Sequence, residues 1–178
     1  ESIRHFWSEP DLWRKQLSDV EARCRQGHAA YAMTSTRRSM RRWTLKDTTR
    51  LDEMPAWKNL LSLPLDLRKE KLRDPQIRFE LGRAMESGKP IGFSRRWDLI
   101  SVKKAARPEN KSAESKNVDE LAREKRKPAI DAFLDLALAE DLETTFEDCA
   151  SQGDIAAVKE IFSNPHVLDL IMQGLYIK

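Results

Sequence analysis

Long apolar runs are absent from this sequence of 178 residues. No window approaches the roughly 18 consecutive apolar residues that a membrane-spanning helix needs, so the sequence predicts no transmembrane segment. The start, residues 1–7, has no basic stretch leading into an apolar run, so we expect no secretory signal peptide. The chain also begins without Met, which indicates either processing or a piece of a longer protein.

Cysteine and histidine are scarce, with two of the former and three of the latter. Cys24 and Cys149 form no CxxC pair, which predicts reduced thiols in a cytoplasmic protein, although a disulfide between them stays open. The histidines, at positions 5, 28 and 166, lack the close spacing typical of zinc sites. There is no glycine-rich phosphate loop, no GxSxG motif and no Cys–His pair at usable spacing. The scattered histidines argue against a metal site formed by this chain alone.

The net charge of +3 hides an uneven distribution along the chain. Residues 89–127 contain twelve Lys or Arg against six Asp or Glu, whereas residues 128–178 contain two against ten. One interpretation is that the basic and acidic parts pack near each other in one fold. The other is that residues 1–127 present a basic surface to an anionic partner, either an acidic protein or nucleic acid.

The densest basic cluster is the run from Arg37 to Trp43, which reads Arg-Arg-Ser-Met-Arg-Arg-Trp. Guanidinium groups beside an indole ring can contact phosphates while the ring stacks on a base. The alternative is a solvated loop that binds nothing. The composition leaves both interpretations open.

The beginning of the chain has the pattern of parallel α/β structure. The spacing predicts a strand over residues 2–7, a helix from Ser8 to the stop signal Gly27, and a strand over residues 28–34. A strand, a helix and a strand in succession are typical of a parallel sheet. Residues 35–55 show no period and are therefore predicted to be a long loop.

The rest of the chain is mostly helical in pattern. Helices are predicted over residues 56–62 and 65–72, from Asp74 to Gly88, over residues 117–126, from Pro128, and over residues 154–163. Strands are predicted over residues 97–102 and 167–171, the last of them buried, and a loop over residues 103–116. The acidic C-terminal third thus reads as two helices followed by a strand.

Four stretches in order resemble one known family. They are Trp13-Arg-Lys-Gln-Leu with its helix to Gly27, the run from Trp57 to Arg78, the segments Trp97-Asp-Leu-Ile-Ser-Val, Arg107-Pro-Glu-Asn and Val118-Asp-Glu-Leu-Ala, and the run from Pro128 through Asn164-Pro-His-Val-Leu. In this order and spacing they are similar to the metal-dependent amidohydrolase family that includes the N-acyl-D-amino-acid deacylases.

This resemblance implies a fold and a domain organisation. The family has a (β/α)8 barrel with its metal at the C-terminal ends of the strands. The chain would correspond to the last part of such a barrel, with about three parallel strands and a large helical insertion. We therefore expect a helix-rich α/β fold with a strand–helix–strand unit at 1–34, a mainly helical insertion at 35–163, and a last strand and tail at 164–178, together one domain.

The resemblance also implies which residues lie near the reaction. The catalytic Asp of the last strand falls on Gln173, and an amide cannot act as the general base toward metal-bound water. Asp169 would replace it only if the register slipped by four residues. His5 stands where the family can place a metal ligand, and Arg37 where it often has an Arg near the substrate carboxylate. The family's His-x-His pair is absent, so zinc is implied for the family but no cofactor for this chain alone.

Two functions follow. In the first, the chain is a fragment or subunit of an enzyme that hydrolyses the amide bond of N-acyl D-amino acids, with the missing barrel half or a second copy as its partner. In the second, it is a non-catalytic module that binds an acidic protein or nucleic acid through the basic region 1–127. The incomplete catalytic set leaves the two nearly level.

Overall fold

The computed structural model describes residues 2–87 and 93–169, which form two compact units. Unit 1 combines residues 2–39 with residues 150–169, and unit 2 consists of residues 40–87 and 93–149. The predicted boundaries, 1–34, 35–163 and 164–178, differ from this division mainly at residues 150–163, which belong to unit 1.

Seven α-helices and five β-strands occur in the part of the chain that the structure describes. The helices are α1 (Leu12–Arg25), α2 (Pro55–Leu61), α3 (Leu65–Lys71), α4 (Pro75–Glu86), α5 (Val118–Lys125), α6 (Ala129–Ala139) and α7 (Ile155–Phe162). The strands are β1 (Ala32–Thr34), β2 (Ser39–Trp43), β3 (Ile100–Lys104), β4 (Thr145–Ser151) and β5 (Val167–Asp169). Short 3-10 helices lie at Trp97–Leu99 and Pro108–Ala113. The predicted helix-rich α/β class is confirmed, whereas the partial barrel goes beyond it and stays a prediction.

Unit 1 contains a small parallel sheet. Strand β1 pairs with β5, and Met33 stands opposite Leu168. Met33 also forms a parallel bridge with Ser2, and its carbonyl accepts a hydrogen bond from the N–H of Ile3 at 2.9 Å. Because Met33 has a parallel neighbour on each side, β1 is the middle of three parallel segments. The strand predicted over residues 2–7 is present only as isolated bridges, the parallel one at Ser2 and antiparallel ones at Phe6.

Helices cover one face of that sheet and leave the other exposed. The buried cluster of unit 1 consists of Ile3 and Ala32 from the sheet, Trp13, Leu17 and Val20 from α1, and Ala157 and Ile161 from α7. On the opposite face Tyr31, Met33 and Leu168 are 53%, 39% and 50% exposed. The prediction of a buried last strand is thus wrong for residues 167–169, because both helices pack on the same side of the sheet.

Unit 2 contains a three-stranded sheet in the order β2–β4–β3. Strand β3 is antiparallel to β4, with Val102 opposite Phe146. The outer edge of β3 is covered by residues 115–117, since the N–H of Ser115 donates to the Val102 carbonyl at 2.8 Å and the Lys116 carbonyl accepts from the Val102 N–H at 2.9 Å. Strand β2 forms the other edge of the sheet.

The core of unit 2 is aromatic and centres on Phe133 of α6. The ring centroid of Phe133 lies 4.5 Å from that of Phe146, 5.4 Å from Trp97 and 6.0 Å from Trp43. All three are geometries in which aromatic rings attract one another beyond their buried area. The helix predicted from Pro128 is α6, and its buried side carries Phe133 into this core.

Three helices begin where their capping residues predict. The Asp74 carboxylate accepts the N–H groups of the first turn of α4, and Asp154 does the same for α7. Asn117 and Glu120 form a reciprocal capping box at the start of α5. Each cap satisfies backbone donors that have no partner within the helix, which is why these starts could be predicted from short sequence patterns.

Two strands of unit 2 were not predicted. The loop prediction for residues 35–55 is wrong at β2, where Met40, Arg41 and Arg42 are all exposed and leave no apolar alternation to recognise. Strand β4 was missed because its inward positions include Asp148 as well as Phe146, so a charged residue interrupts the apolar pattern.

No helix within residues 2–87 and 93–169 combines the length and the apolar character needed to cross a lipid bilayer.

Candidate functional site

A buried polar cluster lies at the C-terminal end of β1 in unit 1. It contains His5, Thr34, Ser35 and Gln152, each at most 6% exposed. The Gln152 side chain accepts from the His5 backbone N–H at 3.2 Å and donates to Thr34 Oγ1 at 3.2 Å and to the Ser35 carbonyl. The Gln152 N–H donates to the His5 carbonyl at 2.9 Å. The side-chain amide of Gln152 thus links the backbone at His5 to the end of β1.

His5 is the predicted metal ligand, and the structure places its side chain inside unit 1. Its ring is 2% exposed, and Nδ1 has no hydrogen-bond partner among the described residues. Burial lowers the pKa of His5, and the opposing charge of Asp154 does not cancel this effect. The imidazole is therefore neutral at pH 7, the form that binds metals. No group of three or more His, Cys, Asp or Glu suited to a metal occurs in residues 2–87 and 93–169.

The other predicted site residues are not brought to His5 by any contact in the structure. Arg37 is exposed three residues beyond β1, and its backbone N–H donates to Ser35 Oγ at 3.2 Å. Its guanidinium has no ion-pair partner in the part of the chain that is described. Asp169 is exposed at the end of β5. Gln173, which occupies the predicted Asp position, lies outside the described residues.

Unit 2 contains a separate cleft of about 710 Å3. It is lined by Arg41, Arg42, Trp43, Asp47, Thr48, Thr49, Arg50, Glu53 and Phe93. Arg50 forms two hydrogen bonds to Asp148, at 2.9 and 2.6 Å, and its guanidinium lies 5.4 Å from the Phe93 ring centroid. The volume is within the range of small-molecule sites, and the lining combines cations, hydroxyls and aromatic walls.

The arginines of this cleft differ in whether an acidic side chain is already paired with them. Arg42 is paired with Glu147 at 2.8 Å, and Arg50 with Asp148. Arg41 is exposed on the edge strand β2 and makes no side-chain hydrogen bond or ion pair with a described residue. Arg41 is therefore the guanidinium most open to an anion.

Trp43 cannot serve as a stacking platform. Its side chain is buried in the aromatic core at 6% exposure, and its Nε1–H donates to Asp148 Oδ1 at 2.8 Å. A nucleic-acid base would need an exposed ring face. The hypothesis that Arg37 to Trp43 combines phosphate contact with stacking therefore loses its aromatic component.

No family model, no curated protein and no solved structure matches this chain.

The sequence pattern did not reveal Gln152 or Asp148 as organising residues. Gln152 contacts residues 117 to 147 positions away, and Asp148 contacts Arg50 and Trp43 at separations of 98 and 105. No local motif reports pairs at such distances. The one local signal is that Gln152 directly precedes Gly153 and the capping residue Asp154.

Proposed function

We propose that this chain is the C-terminal part of an amidohydrolase-like barrel. In this role it is a fragment or subunit of an enzyme that hydrolyses the amide bond of N-acyl D-amino acids, and it is not catalytically sufficient alone. One observation carries the proposal, namely the parallel order of the Ser2 segment, β1 and β5, with α1 between the first two and α7 before the third. Successive parallel strands joined by helices on one face are the repeating unit of a (β/α)8 barrel.

The exposed face of this sheet supports the same proposal. Tyr31, which directly precedes β1, Met33 on β1 and Leu168 on β5 are exposed on the face away from α1 and α7. In a closed barrel this side faces the interior, where side chains from other strands would cover it. A short parallel sheet with one bare apolar face is incomplete by the usual rule that both faces of a parallel sheet are buried.

The described residues do not fit a zinc site by themselves. His5 offers a neutral imidazole, but no second or third ligand accompanies it in residues 2–87 and 93–169. We therefore assign no step of hydrolysis to a metal bound by this chain. In the proposed assembly the zinc ligands come from the missing barrel half, while Arg37 lies beyond β1 where a substrate carboxylate would be bound.

Complementation tests the proposal. The chain is co-expressed with the N-terminal half of a barrel of this family that carries the His-x-His pair, and hydrolysis of N-acetyl-D-amino acids is measured with zinc. We expect a stable complex that is inactive with Gln173 and active with Gln173→Asp, because the variant restores a carboxylate base. Gln26→Asp, on the exposed end of α1, is the matched control and should stay inactive.

Two results would contradict the proposal. One is turnover by the purified chain alone, which would mean that Gln173 does not disable the site. The other is the absence of any complex with the barrel half when both proteins are folded.

A second function, a binding module for an acidic protein segment, is favoured by the cleft in unit 2. Arg41 projects from the edge strand β2 without a described partner, beside Arg42. An edge strand can pair with an added peptide strand, and acidic side chains would meet this cationic edge. Anisotropy titration of a labelled poly-glutamate peptide should weaken severalfold in the Arg41→Ala/Arg42→Ala variant and stay unchanged in the exposed control Lys58→Ala/Lys125→Ala. Equal binding by both variants would reject this function.

A further inference from the structure

Cys24 and His166 meet in unit 1 although 142 positions separate them. Cys24 lies in the last turn of α1, and His166 directly precedes β5. The Cys24 Sγ lies 3.5 Å from His166 Nδ1. No spacing in the sequence indicated a Cys–His pair, because the contact depends on the pairing of β1 with β5. At the start of that pairing the Ala32 N–H donates to the His166 carbonyl at 2.8 Å.

The imidazole of His166 is held in place by its neighbours. Its backbone N–H donates to Asn164 Oδ1 at 3.0 Å, and the Asn164 side-chain amide donates to Glu21 of α1 at 2.7 Å. Its ring lies against Tyr31, with the centroids 6.4 Å apart. The turn that carries His166 is thus fixed to the same helix that carries Cys24.

This arrangement pairs a nucleophile with a base. A neutral imidazole can take the thiol proton, which leaves a thiolate beside an imidazolium. The Ala30 carbonyl, 3.2 Å from Sγ, accepts a hydrogen bond from the thiol but cannot remove its proton. Carbonyl groups at a helix C-terminus disfavour an anion, and Arg23 and Arg25 in the same turn place positive charge at that end of the helix.

The two cysteines differ in access. Cys24 is only partly buried, whereas Cys149 is almost fully buried, with 8% of its surface exposed. Cys24 is therefore the more exposed of the two cysteines. Neither Cys24 nor His166 has a part in the proposed hydrolase site or in the cleft of unit 2, so their pairing stands apart from both proposed functions.

We propose that Cys24 is a base-assisted reactive thiol whose reaction partner is a low-molecular-weight disulfide of the glutathione class. His166 takes the thiol proton, and the Cys24 thiolate attacks one sulfur of the disulfide. A new bond forms between Cys24 and that sulfur while the original S–S bond breaks. The second thiol leaves as a thiolate and receives the proton from His166. Cys24 is oxidised and one molecule of the small thiol is released, so the exchange balances.

Oxidised glutathione tests the proposal on the full chain. The rate of glutathionylation at pH 7 is followed by mass spectrometry and assigned to a cysteine by peptide mapping. We expect Cys24 to react while Cys149 does not, and faster than the thiol of free glutathione exchanges under the same conditions. His166→Asn, which keeps a polar side chain but removes the base, should slow the reaction by about tenfold or more. His28→Asn, an exposed histidine in the turn after α1, is the matched control and should react like the parent.

The comparison with free glutathione needs no variant, so it decides the question even if His166→Asn does not fold. Circular dichroism establishes whether each variant is folded. A Cys24 rate no greater than that of the free thiol would overturn the proposal, as would an unchanged rate in folded His166→Asn. Equal modification of Cys24 and Cys149 would do the same.

Discussion

Asp148 is a charged residue in the interior of unit 2. Its side chain is fully buried, and it accepts hydrogen bonds from Trp43 Nε1 and from two nitrogens of Arg50. A buried carboxylate of this kind costs free energy to desolvate, and that cost is offset only while every partner stays in place. The contribution of Asp148 to stability is therefore measured by a substitution that removes one of these interactions.

We expect Asp148→Asn to lower the free energy of unfolding by about 3 kcal/mol, because it leaves the largely buried Arg50 without its counter-charge. The amide oxygen can still accept from Trp43, so the loss reports the charge rather than that hydrogen bond. Urea unfolding followed by tryptophan fluorescence measures the change. Asp66→Asn on exposed α3 is the control, and an equally small effect of both variants would contradict the prediction.

Gly153 shows how a small residue can be required by packing rather than by backbone angles. A Cβ atom at this position would lie 2.6 Å from Nε1 of Trp7 and 3.0 Å from its ring. The indole would have to move, and overpacking of this kind costs about 1–3 kcal/mol. We expect Gly153→Ala to destabilise unit 1, as measured by thermal unfolding.

Gly82 within α4 provides the opposite case. A Cβ atom there would meet Ile130 at 3.4 Å, an ordinary contact, and alanine suits a helix interior better than glycine by up to about 1 kcal/mol. Gly82→Ala should therefore leave stability unchanged or raise it. If Gly153→Ala and Gly82→Ala changed the stability in the same direction and by the same amount, the packing argument for Gly153 would be wrong.

These residues mark how far the sequence could predict contacts. The helix starts at Asp74, Asn117 and Asp154 were predicted correctly, because each of these side chains accepts hydrogen bonds from N–H groups two or three positions away. The partners of Asp148 and Gln152 could not be predicted, because the residues that contact them are about a hundred positions away or more and share no pattern with them.

The end of α6 is joined to the segment after β3 by one buried carboxylate. Glu140 is 1% exposed and accepts the N–H groups of Ala106 and Arg107, at 3.0 and 3.1 Å, and the Thr144 hydroxyl at 2.6 Å. Burial alone would raise the pKa of Glu140, but these hydrogen bonds to its ionised form outweigh that effect and hold the pKa below its usual 4.5.

This lowered pKa makes the stability of unit 2 depend on pH. Because the unfolded carboxyl binds its proton more tightly than the folded one, the contribution of Glu140 is complete above about pH 4.5 and is lost as the pH falls through the folded pKa. The difference in free energy of unfolding between the parent and Glu140→Gln should shrink as the pH is lowered from 6 to about 3. A difference that is constant or grows toward acid would contradict this.

Secondary structure was predictable where one face is apolar and caps are local. The helices α2, α3, α4 and α5 lie within a few residues of their predicted positions. Strands β2 and β4 were not foreseen, since one exposes three residues in succession and the other buries Asp148. The burial of such a strand depends on the elements that pack against it, so its own sequence need not alternate between apolar and polar residues.

Unit 2 is one continuous segment inserted between β1 and α7. Its buried cluster is large and includes residues from α2, α4, α5 and α6, whereas the buried cluster described in unit 1 has seven members. A domain with its own core can fold alone. We expect a protein consisting of residues 40–149 to unfold cooperatively on heating, with near-ultraviolet circular dichroism of an ordered aromatic core.

The complementary protein, residues 1–39 joined by a short linker to 150–178, should be less stable, because its core is small and its sheet has a bare face. If residues 40–149 melted without a cooperative transition, the division into units would not reflect independent folding.

The class of the fold was predictable from the strand–helix–strand pattern at the start of the chain, but its layout was not. The three-stranded sheet of unit 2 joins β3, which was largely predicted, to β2, which lies in a predicted loop, and to β4, which lies in the acidic C-terminal third. Local patterns limit which elements form, while pairing over such separations is decided by the whole chain.

The insertion of unit 2 also affects how fast the chain can fold. Pairing β1 with β5 brings together residues 135 positions apart, and closing so long a flexible loop costs chain entropy that grows with the logarithm of its length. If unit 2 collapses first, most of that loop is already a compact body when the two strands meet. The parallel sheet would then form after unit 2, so that the formation of unit 1 depends on the earlier folding of a segment that contributes nothing to its core.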